Sequence, residues 1–352
     1  MDKERLTYYT ALVSSPLLRQ NGIIFPRFNI IVTPYSSIKT CKETVVRTES
    51  LPNQMARAVF FDPKHKLAYY RLQFQAGIST DLGESPELPL VGQPAVIFSR
   101  TYAKGIKETN SYFSKIYENK GVNFLQVQSK LPPVFLGSLV TDTSYTPVGM
   151  VIGYDTNERM QVLPIKYILE GIYELQEFSE EFAFRCPYCD TILTEDNVAF
   201  GKCAFCGGML PQELYKGAKY IPDKNEAKIE QILKLLNVDY QTSRLDQYYW
   251  EIPKHSSKII IHYDKKQKAL VAYSKIGEQE EAGITESSRL MTTLLEENNN
   301  LKHLTISLND KEIFISTFYL NADYLVPEKA VEIIRDLIAE SDRIKQKIQN
   351  NE

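Results

Sequence analysis

Two Cys-x-x-Cys pairs are the part of this sequence whose residue types and spacing are best suited to chemistry. Cys186 and Cys189 form the first pair, and Cys203 and Cys206 form the second. Two intervening residues let both sulfurs of a pair turn to one side, and two such pairs can surround an ion tetrahedrally. The spacing therefore predicts that these four cysteines bind one Zn²⁺ ion. Because four protein ligands leave no open position for water or substrate, the predicted role of the zinc is structural.

The residues around the cysteines resemble a zinc ribbon, predicted over residues 184–215. Pro187 stiffens the first pair, and Gly207 and Gly208 supply backbone freedom for a turn after the second. The alternatives are a disulfide pair and a thioredoxin-like redox motif. Redox motifs contain one Cys-x-x-Cys rather than two at this spacing, so the zinc interpretation is favoured. We expect so short a segment to fold on its metal alone.

Zinc ribbons often bind nucleic acid. The local charge of the segment tests this alternative. Between Phe184 and Tyr220 the basic and acidic residues balance. A nucleic-acid site normally shows a basic stripe, because phosphate contacts supply most of the affinity. The sequence therefore disfavours nucleic acid as a partner.

The overall composition is that of an ordinary globular protein, with 43% hydrophobic residues, 24% charged residues and a formal net charge of -3. Cys41 stands far from the other four cysteines, and one cluster with one single thiol favours a reducing compartment over a disulfide framework. The first residues lack the apolar run of a signal peptide, and no stretch has the length of about 18 apolar residues that a membrane span needs. We therefore expect a cytoplasmic protein with no membrane partner.

Residues 222–352 alternate helical and strand patterns. A helix after the capping pair Asp223 and Glu226 is followed by three strands, a helix, a hairpin turning at Asn309 and Asp310, and a final helix. This order resembles the α+β fold of type III secretion chaperones and their relatives in bacterial regulators. Members of that class bind other proteins, often as dimers, so the resemblance implies protein partners and a homodimer through this segment.

Two further expectations concern the same segment. The last residues, SDRIKQKIQNNE, are expected to be solvated and dispensable for folding. The histidines here have no metal-type spacing or nearby acid partner, and we interpret them as ordinary strand or surface residues: His255, His262 and His303.

Residues 1–183 contain four segments that resemble, in order, parts of the trypsin-like serine proteases. GIIFPRFNIIVTPYSSI resembles the strand and turn leading to the catalytic histidine, and DPKHKLAYYRLQF with ELPLVGQPAVIFS resembles the strands around the catalytic aspartate. SKLPPVFLGSLVTDTSYTPVGMVIGY resembles the nucleophile loop, and QVLPIKYILEGIYEL resembles the closing helix. The resemblance implies an all-β, trypsin-like double barrel. An unrelated β-barrel or sandwich is the alternative, because alternating strands alone produce part of this pattern.

The functional residues of that family do not carry over to this sequence. The positions that match its histidine, aspartate and serine hold Ser36, Lys66 and Leu136. These side chains cannot form the hydrogen-bonded line of serine, imidazole and carboxylate that the triad needs. We therefore predict no catalytic residue, and we expect Asp62 and His65 to form a charged turn between strands. The remaining candidates for chemistry in this half are Asp62, His65, Ser138 and Ser144.

The sequence thus predicts three segments: a degenerate trypsin-like β-domain (1–183), a zinc ribbon (184–215) and a chaperone-like α+β domain (222–352). The predicted function is a non-enzymatic adaptor that holds partner proteins in a larger bacterial assembly. A hydrolase or peptidase with an atypical site in the β-domain, and nucleic-acid binding through the ribbon, are the alternatives.

Overall fold

The fold was obtained as a computed structural model of the protein. It describes residues 3–16, 18–35, 41–49, 53–73, 82, 87–101, 105–129, 135–157, 159–178, 181–218, 220–252, 257–278 and 284–350. The chain divides into two compact units, Met1–Tyr220 and Ile221–Glu352. The division into the three predicted segments stays a prediction.

Six antiparallel strands after a short helix, α1 (Lys3–Leu6), form the first closed barrel. Around the barrel the order is β1-β2-β3-β6-β5-β4, and β4 pairs with β1 to close the ring. The strands are β1 (Thr10–Ser14), β2 (Arg19–Phe25), β3 (Ile30–Pro34), β4 (Glu43–Arg47), β5 (Gln54–Asp62) and β6 (Leu67–Leu72).

The second barrel repeats this arrangement with the next six strands. Its order, β7-β8-β9-β12-β11-β10, is that of the first barrel with every strand number raised by six. The prediction of an all-β double barrel is therefore confirmed. The elements are β7 (Pro94–Thr101), β8 (Gly105–Asn119), β9 (Val122–Val127), β10 (Leu139–Thr141), β11 (Pro147–Tyr154) and β12 (Met160–Pro164), followed by the helix α2 (Ile165–Gln176).

The two barrels share one hydrophobic cluster. Ile23 of the first barrel, Phe98 of the second and Ile168 of α2 belong to it, and none is more than 1% exposed. Each apolar side chain removed from water stabilises the fold by about 1.5–3 kcal/mol. Because one cluster spans both barrels and α2, the barrels form a single cooperative unit.

The ribbon segment (residues 184–215) is joined to the first barrel through main-chain hydrogen bonds. Strand β13 (Ala183–Arg185) pairs in parallel with β5, and β14 (Ile192–Thr194) adds to the outside of β13. The rest of the segment contains β15 (Val198–Ala199), β16 (Lys202–Cys203) and α3 (Gln212–Lys216).

Packing joins the ribbon segment to the barrel as well. Phe184, Leu193 and Leu214 are buried in one cluster with first-barrel residues such as Phe61 and Tyr70. The apolar side chains of this segment therefore complete a core that the barrel begins. That the segment folds on its metal alone stays a prediction.

The C-terminal unit is a six-stranded antiparallel sheet with helices packed on it. The sheet order is β17-β18-β19-β20-β22-β21. Its elements are α4 (Lys224–Leu235), α5 (Tyr240–Ser243), β17 (Arg244–Asp246), β18 (Tyr249–Ile252), β19 (Ile259–Asp264), β20 (Ala269–Glu278), α6 (Ile284–Asn300), β21 (Thr305–Asn309), β22 (Glu312–Tyr319) and α7 (Pro327–Asn350).

The predicted order of elements in this unit is present, with α5 and β17 in addition. The Asp223 side chain accepts hydrogen bonds from the first turn of α4, and Glu226 reaches back to the Asp223 N–H, as a capping box does. The expectation of a solvated C-terminal stretch is wrong. Ile344 and Ile348 of α7 are 1% and 4% exposed and belong to the core of this unit.

Among the residues that the structure describes, no helix is both long enough and apolar enough to cross a bilayer.

Candidate functional site

The four predicted metal ligands lie together in the structure. Cys186, Cys189, Cys203 and Cys206 place all their Sγ atoms within 4.8 Å of one another. The Cys186 and Cys206 sulfurs are 3.8 Å apart, and those of Cys189 and Cys203 are 3.9 Å apart. These distances exclude disulfide bonds, whose sulfurs lie about 2.0 Å apart. The cluster can bind a metal ion.

Each cysteine pair sits in a tight backbone turn, which we call a knuckle, and the two knuckles have the same hydrogen bonds. In the first, the Cys186 N–H donates to the Thr191 carbonyl (2.9 Å), and the Asp190 N–H donates to the Cys186 carbonyl (3.1 Å). The equivalent bonds of the second knuckle run from the Cys203 N–H to Gly208 (2.9 Å) and from the Gly207 N–H to Cys203 (2.9 Å).

One residue in each knuckle adopts a left-handed backbone conformation. Gly207 has φ 72°, which explains the glycine in the second knuckle, and Asp190 has φ 61° at the equivalent position of the first. Aspartate tolerates this region better than most residues because its short side chain bonds locally. Gly207 is visible in the sequence as a turn residue, whereas no sequence signal marks Asp190.

The four thiols differ in their burial and in their hydrogen bonds. Cys186 and Cys203 are buried within the core that the ribbon segment shares with the first barrel, whereas Cys189 and Cys206 face outward. Cys189 Sγ lies 3.4 Å from Thr191 Oγ1. Hydrogen bonds from the Thr191 hydroxyl and N–H lower the pKa of Cys189 to about 6. A thiolate is the form that binds metal, and Cys189 reaches it more readily than Cys186, whose pKa burial raises to about 12.

A buried ion network adjoins the first knuckle. Asp62, at the end of β5, is fully buried and accepts hydrogen bonds from His65 Nδ1 (2.7 Å) and Arg185 Nε (3.1 Å). Arg185 also donates to the Asp190 carbonyl (3.1 Å) and to the Glu174 carboxylate of α2. Arg185 therefore connects the knuckle, the β5–β6 turn and α2.

Opposing effects set the pKa of Asp62. Burial alone would raise it, but the hydrogen bond and charge of His65, together with the charge of Arg185, outweigh burial and lower the pKa. Asp62 is thus held as a carboxylate. The sequence analysis expected Asp62 and His65 in a charged turn, but it missed Arg185 and Glu174, because no local pattern marks residues that meet from distant parts of the chain.

Two of the three positions that match the protease triad lie within the described residues. Ser36 lies outside them. Lys66 is exposed in the β5–β6 turn with φ 59°, and the Leu136 carbonyl accepts from the Asn21 N–H.

The serine candidates lie elsewhere. Ser138 is buried, with Oγ 2.7 Å from Ser99 Oγ, and Ser144 donates its N–H to Asp142 in a turn. Among the described residues, no serine, threonine or cysteine side chain hydrogen-bonds to His65.

His262 and His303 belong to the C-terminal unit. The His262 ring stacks on Tyr249 with centroids 4.8 Å apart, and burial lowers its pKa. His303 is exposed with φ 63°, and His255 lies outside the described residues.

No protein family matches the sequence, and no curated protein matches it. The structure is similar to the inactive form of a mutant of Rv3671c from M. tuberculosis H37Rv, with 13% identity and a TM-score of 0.43 over 50% of this chain and 90% of the other. It is also similar to a serine endoprotease from Yersinia pestis, with 16% identity and a TM-score of 0.43 over 50% of this chain and 65% of the other. A third similar structure is the HtrA-type protease AlgW with a tripeptide, with 16% identity and a TM-score of 0.44 over 50% of this chain and 62% of the other.

These similarities bear on the predicted function. The solved structures are proteases, which contradicts the prediction of a non-enzymatic adaptor, and that prediction is withdrawn. At these identities and TM-scores the likeness assigns no activity to this chain. The comparisons give no support to the type III secretion chaperone-like interpretation of residues 222–352.

Proposed function

We propose that the four cysteines bind one Zn²⁺ ion that fixes the ribbon segment on the first barrel. The sulfur positions support this proposal. A tetrahedral ion with Zn–S bonds of about 2.3 Å puts neighbouring sulfurs about 3.8 Å apart. In the chain, Cys186 and Cys206 are 3.8 Å apart and Cys189 and Cys203 are 3.9 Å apart.

The proposed role of the zinc is structural. Four thiolates fill a tetrahedral shell, so no position is left for water or substrate. Two of the ligands, Cys186 and Cys203, lie in the core shared with the barrel. The ion would therefore hold Arg185, which precedes Cys186, in place to bind Asp62.

Elemental analysis tests this proposal. Protein purified without added metal should contain one zinc ion per chain, and Cys203→Ser should lose it and lower the melting temperature of the N-terminal unit. Cys41→Ser is the matched control, because Cys41 is buried outside the cluster and should leave the zinc content unchanged. Iron in place of zinc, or four thiols that react freely in metal-free protein, would refute the proposal.

We also propose that the chain works in the cytoplasm. The zinc cluster needs thiols that stay reduced, and cytoplasmic glutathione and thioredoxin provide that condition.

For the C-terminal unit we propose a homodimer formed by pairing β21 with its copy. β21 is an edge of the sheet, has no charged residue or proline, and exposes 44% of Leu308. Such an edge is a template for strand pairing. Light scattering should give twice the monomer mass, and Leu308→Lys should give the monomer mass. A monomeric wild type would exclude this dimer.

A second candidate function is hydrolysis at the Asp62–His65 pair. Asp62 binds Nδ1 of His65, so the base would be Nε2, on a ring that is 7% exposed and stacked on Tyr167. In this reaction Nε2 takes a proton from water while the water oxygen bonds to the substrate carbonyl carbon. The proton then passes to the leaving group.

Fluorogenic peptide and ester substrates test the second candidate. The wild type should hydrolyse at least one of them, and His65→Gln should reduce the rate by about 100-fold or more. Lys64→Gln, the neighbouring control, should not. A wild type without activity, or a His65 variant with full activity, would exclude hydrolysis at this pair.

A further inference from the structure

Four large apolar side chains of the ribbon segment face solvent. We call them the ribbon patch: Tyr188, Phe200, Phe205 and Met209. Their exposed fractions are 64%, 101%, 67% and 59%. Apolar side chains exposed singly are ordinary, but a contiguous group on a small segment marks an interaction site.

Backbone contacts show that three of the four are neighbours. The Tyr188 ring lies so close to Gly208 that a Cβ there would be 2.5 Å from it, and Met209 follows Gly208. Met209 Sδ lies within 3.7 Å of the Cβ position of Gly201, which follows Phe200. Tyr188 thus lies beside the backbone that leads to Met209, and Met209 lies beside the turn that contains Phe200, while Phe205 lies in the second knuckle.

Phe200 is in a conformation that aromatic residues rarely adopt. Phe200 and Gly201, with φ 52° and 75°, form the two-residue turn between β15 and β16. Such a turn favours Asn-Gly, because both residues need positive φ. The phenylalanine costs backbone strain, and its fully exposed ring gains no packing within the described part of the chain. A strained backbone position whose side chain adds no packing to the fold indicates that the side chain serves binding.

Charge identifies the kind of partner. Asp190 is paired with Lys64, so the stretch 186–210 keeps Glu195 and Asp196 against Lys202, a net charge of -1. Four thiolates around one Zn²⁺ ion add two further negative charges. Nucleic acid, anionic lipid and a second copy of the same patch are all repelled by this surface, whereas a basic partner is attracted.

We propose that the ribbon patch binds a segment of another protein that carries apolar side chains flanked by lysine or arginine. The proposal rests on the zinc site only for the shape and charge of the knuckles. Since a large aromatic side chain buries about 150–250 Å², the patch offers about 400–500 Å². An interface of that size, about 800–1,000 Å² in total, belongs to weak, transient complexes.

A random peptide library of 15-residue segments, displayed on phage and selected against the full-length zinc-loaded protein, tests the proposal. Enriched peptides should combine aromatic or aliphatic residues with lysine or arginine. A synthetic consensus peptide should bind with micromolar affinity by calorimetry. Phe200→Asn, which suits the turn, and Phe205→Ser should each weaken binding at least tenfold. Leu90→Ser, a control with 68% exposure outside the ribbon segment, should not.

The results that contradict the patch proposal can be distinguished from those that contradict the zinc proposal. No enrichment, enrichment of acidic peptides, or equal binding by the two patch variants would overturn the proposal. So would binding of a 20-mer single-stranded DNA, of phosphatidylserine vesicles or of a second copy that Phe200→Asn abolishes. Zinc content is measured on every variant. Zinc-loaded protein without peptide binding refutes the patch alone. Protein that is purified without any zinc and still binds the peptide refutes the zinc proposal alone.

Discussion

At the scale of single residues, the N-terminal unit depends on charges that are buried and fully paired. Asp62 is 0% exposed and Arg185 is 6% exposed, and each has several hydrogen-bond partners. A buried pair contributes little net stability compared with an apolar replacement of both partners. Removal of one partner is costly, because it leaves the other charge unpaired.

Arg185→Met should therefore destabilise the N-terminal unit by about 3–5 kcal/mol. Urea unfolding followed by far-ultraviolet circular dichroism measures the change. Lys64→Met is the control, because Lys64 pairs with Asp190 at the surface and should cost less than about 1 kcal/mol. Equal losses of unfolding free energy in the two variants would show that the buried network stabilises the unit no more than a surface ion pair does.

A second residue-scale prediction concerns acid sensitivity in the C-terminal unit. Hydrogen bonds from Arg343 and Lys347 hold the pKa of Glu297 at about 2, below its ordinary 4.5. A carboxylate with a lowered pKa stabilises the fold above its ordinary pKa, and the contribution is lost as the pH falls towards its folded value. Glu297→Gln should lower the melting temperature at pH 6, and this difference should vanish as the pH approaches 2.

Glu296→Gln, at the exposed neighbouring position, is the control and should change little at either pH. A Glu297 variant whose melting temperature stays below that of the wild type at pH 2 would point to lost packing rather than lost charge pairing.

Sequence reasoning at this scale succeeded where ligands are neighbours along the chain. The four cysteines were found because a knuckle is a local structure whose spacing is visible in the sequence. Asp62 and Arg185 lie 123 positions apart, and only the parallel pairing of β13 with β5 brings them together. Nothing in the local sequence of either residue encodes that pairing.

At the scale of elements, the apolar face of helix α7 extends further along the chain than its polar composition suggests. Its buried residues Ile334, Leu337, Ser341, Ile344 and Ile348 follow alternating steps of three and four. This spacing keeps them on one face of the helix. The polar residues between them suggested a solvated tail, although the apolar face continues to Ile348.

Ile348→Ala should destabilise the C-terminal unit by about 2–5 kcal/mol, because it opens a cavity beside Gly277 and Ile313. Gln346→Ala, on the exposed side of the same turn, should change stability by less than about 0.5 kcal/mol. Chemical unfolding monitored by Trp250 fluorescence gives both values. A dispensable tail would leave both variants as stable as the wild type.

The loop before β10 provides a second element-scale test. Gly137 has φ 83°, and a Cβ there would lie 1.8 Å from the Asn21 carbonyl oxygen of β2. Gly137→Ala should destabilise the N-terminal unit by more than about 3 kcal/mol, since the clash is with backbone. Gly121→Ala has a similar φ of 76° but open space, so it should cost only about 1–2 kcal/mol. Equal losses of stability in the two variants would mean that the positive φ, and not the clash with Asn21, determines the destabilisation.

At the scale of the whole molecule, the two units have separate cores and offer separate signals. The chain has one tryptophan, Trp250, which is buried in the C-terminal unit, whereas the cysteine cluster belongs to the N-terminal unit. A perturbation at the metal site should therefore be silent in tryptophan fluorescence.

Zinc removal by a chelator should lower the melting temperature seen by far-ultraviolet circular dichroism and leave the Trp250 fluorescence transition unchanged. The reason is that a ligand bound to the folded state stabilises only the unit that binds it. Parallel shifts in both signals would show that the two units unfold together.

The parallel pairing of β13 with β5 also sets the order of events during synthesis on the ribosome. The last residues of β5 wait for a partner strand that is made after the 123 positions from Asp62 to Arg185. At about 5–20 residues per second, that delay is roughly 6–25 s. Throughout it the last residues of β5 lack their partner strand, and Asp62 has His65 but lacks Arg185, which makes the stretch before Cys186 the period when a chaperone is needed most.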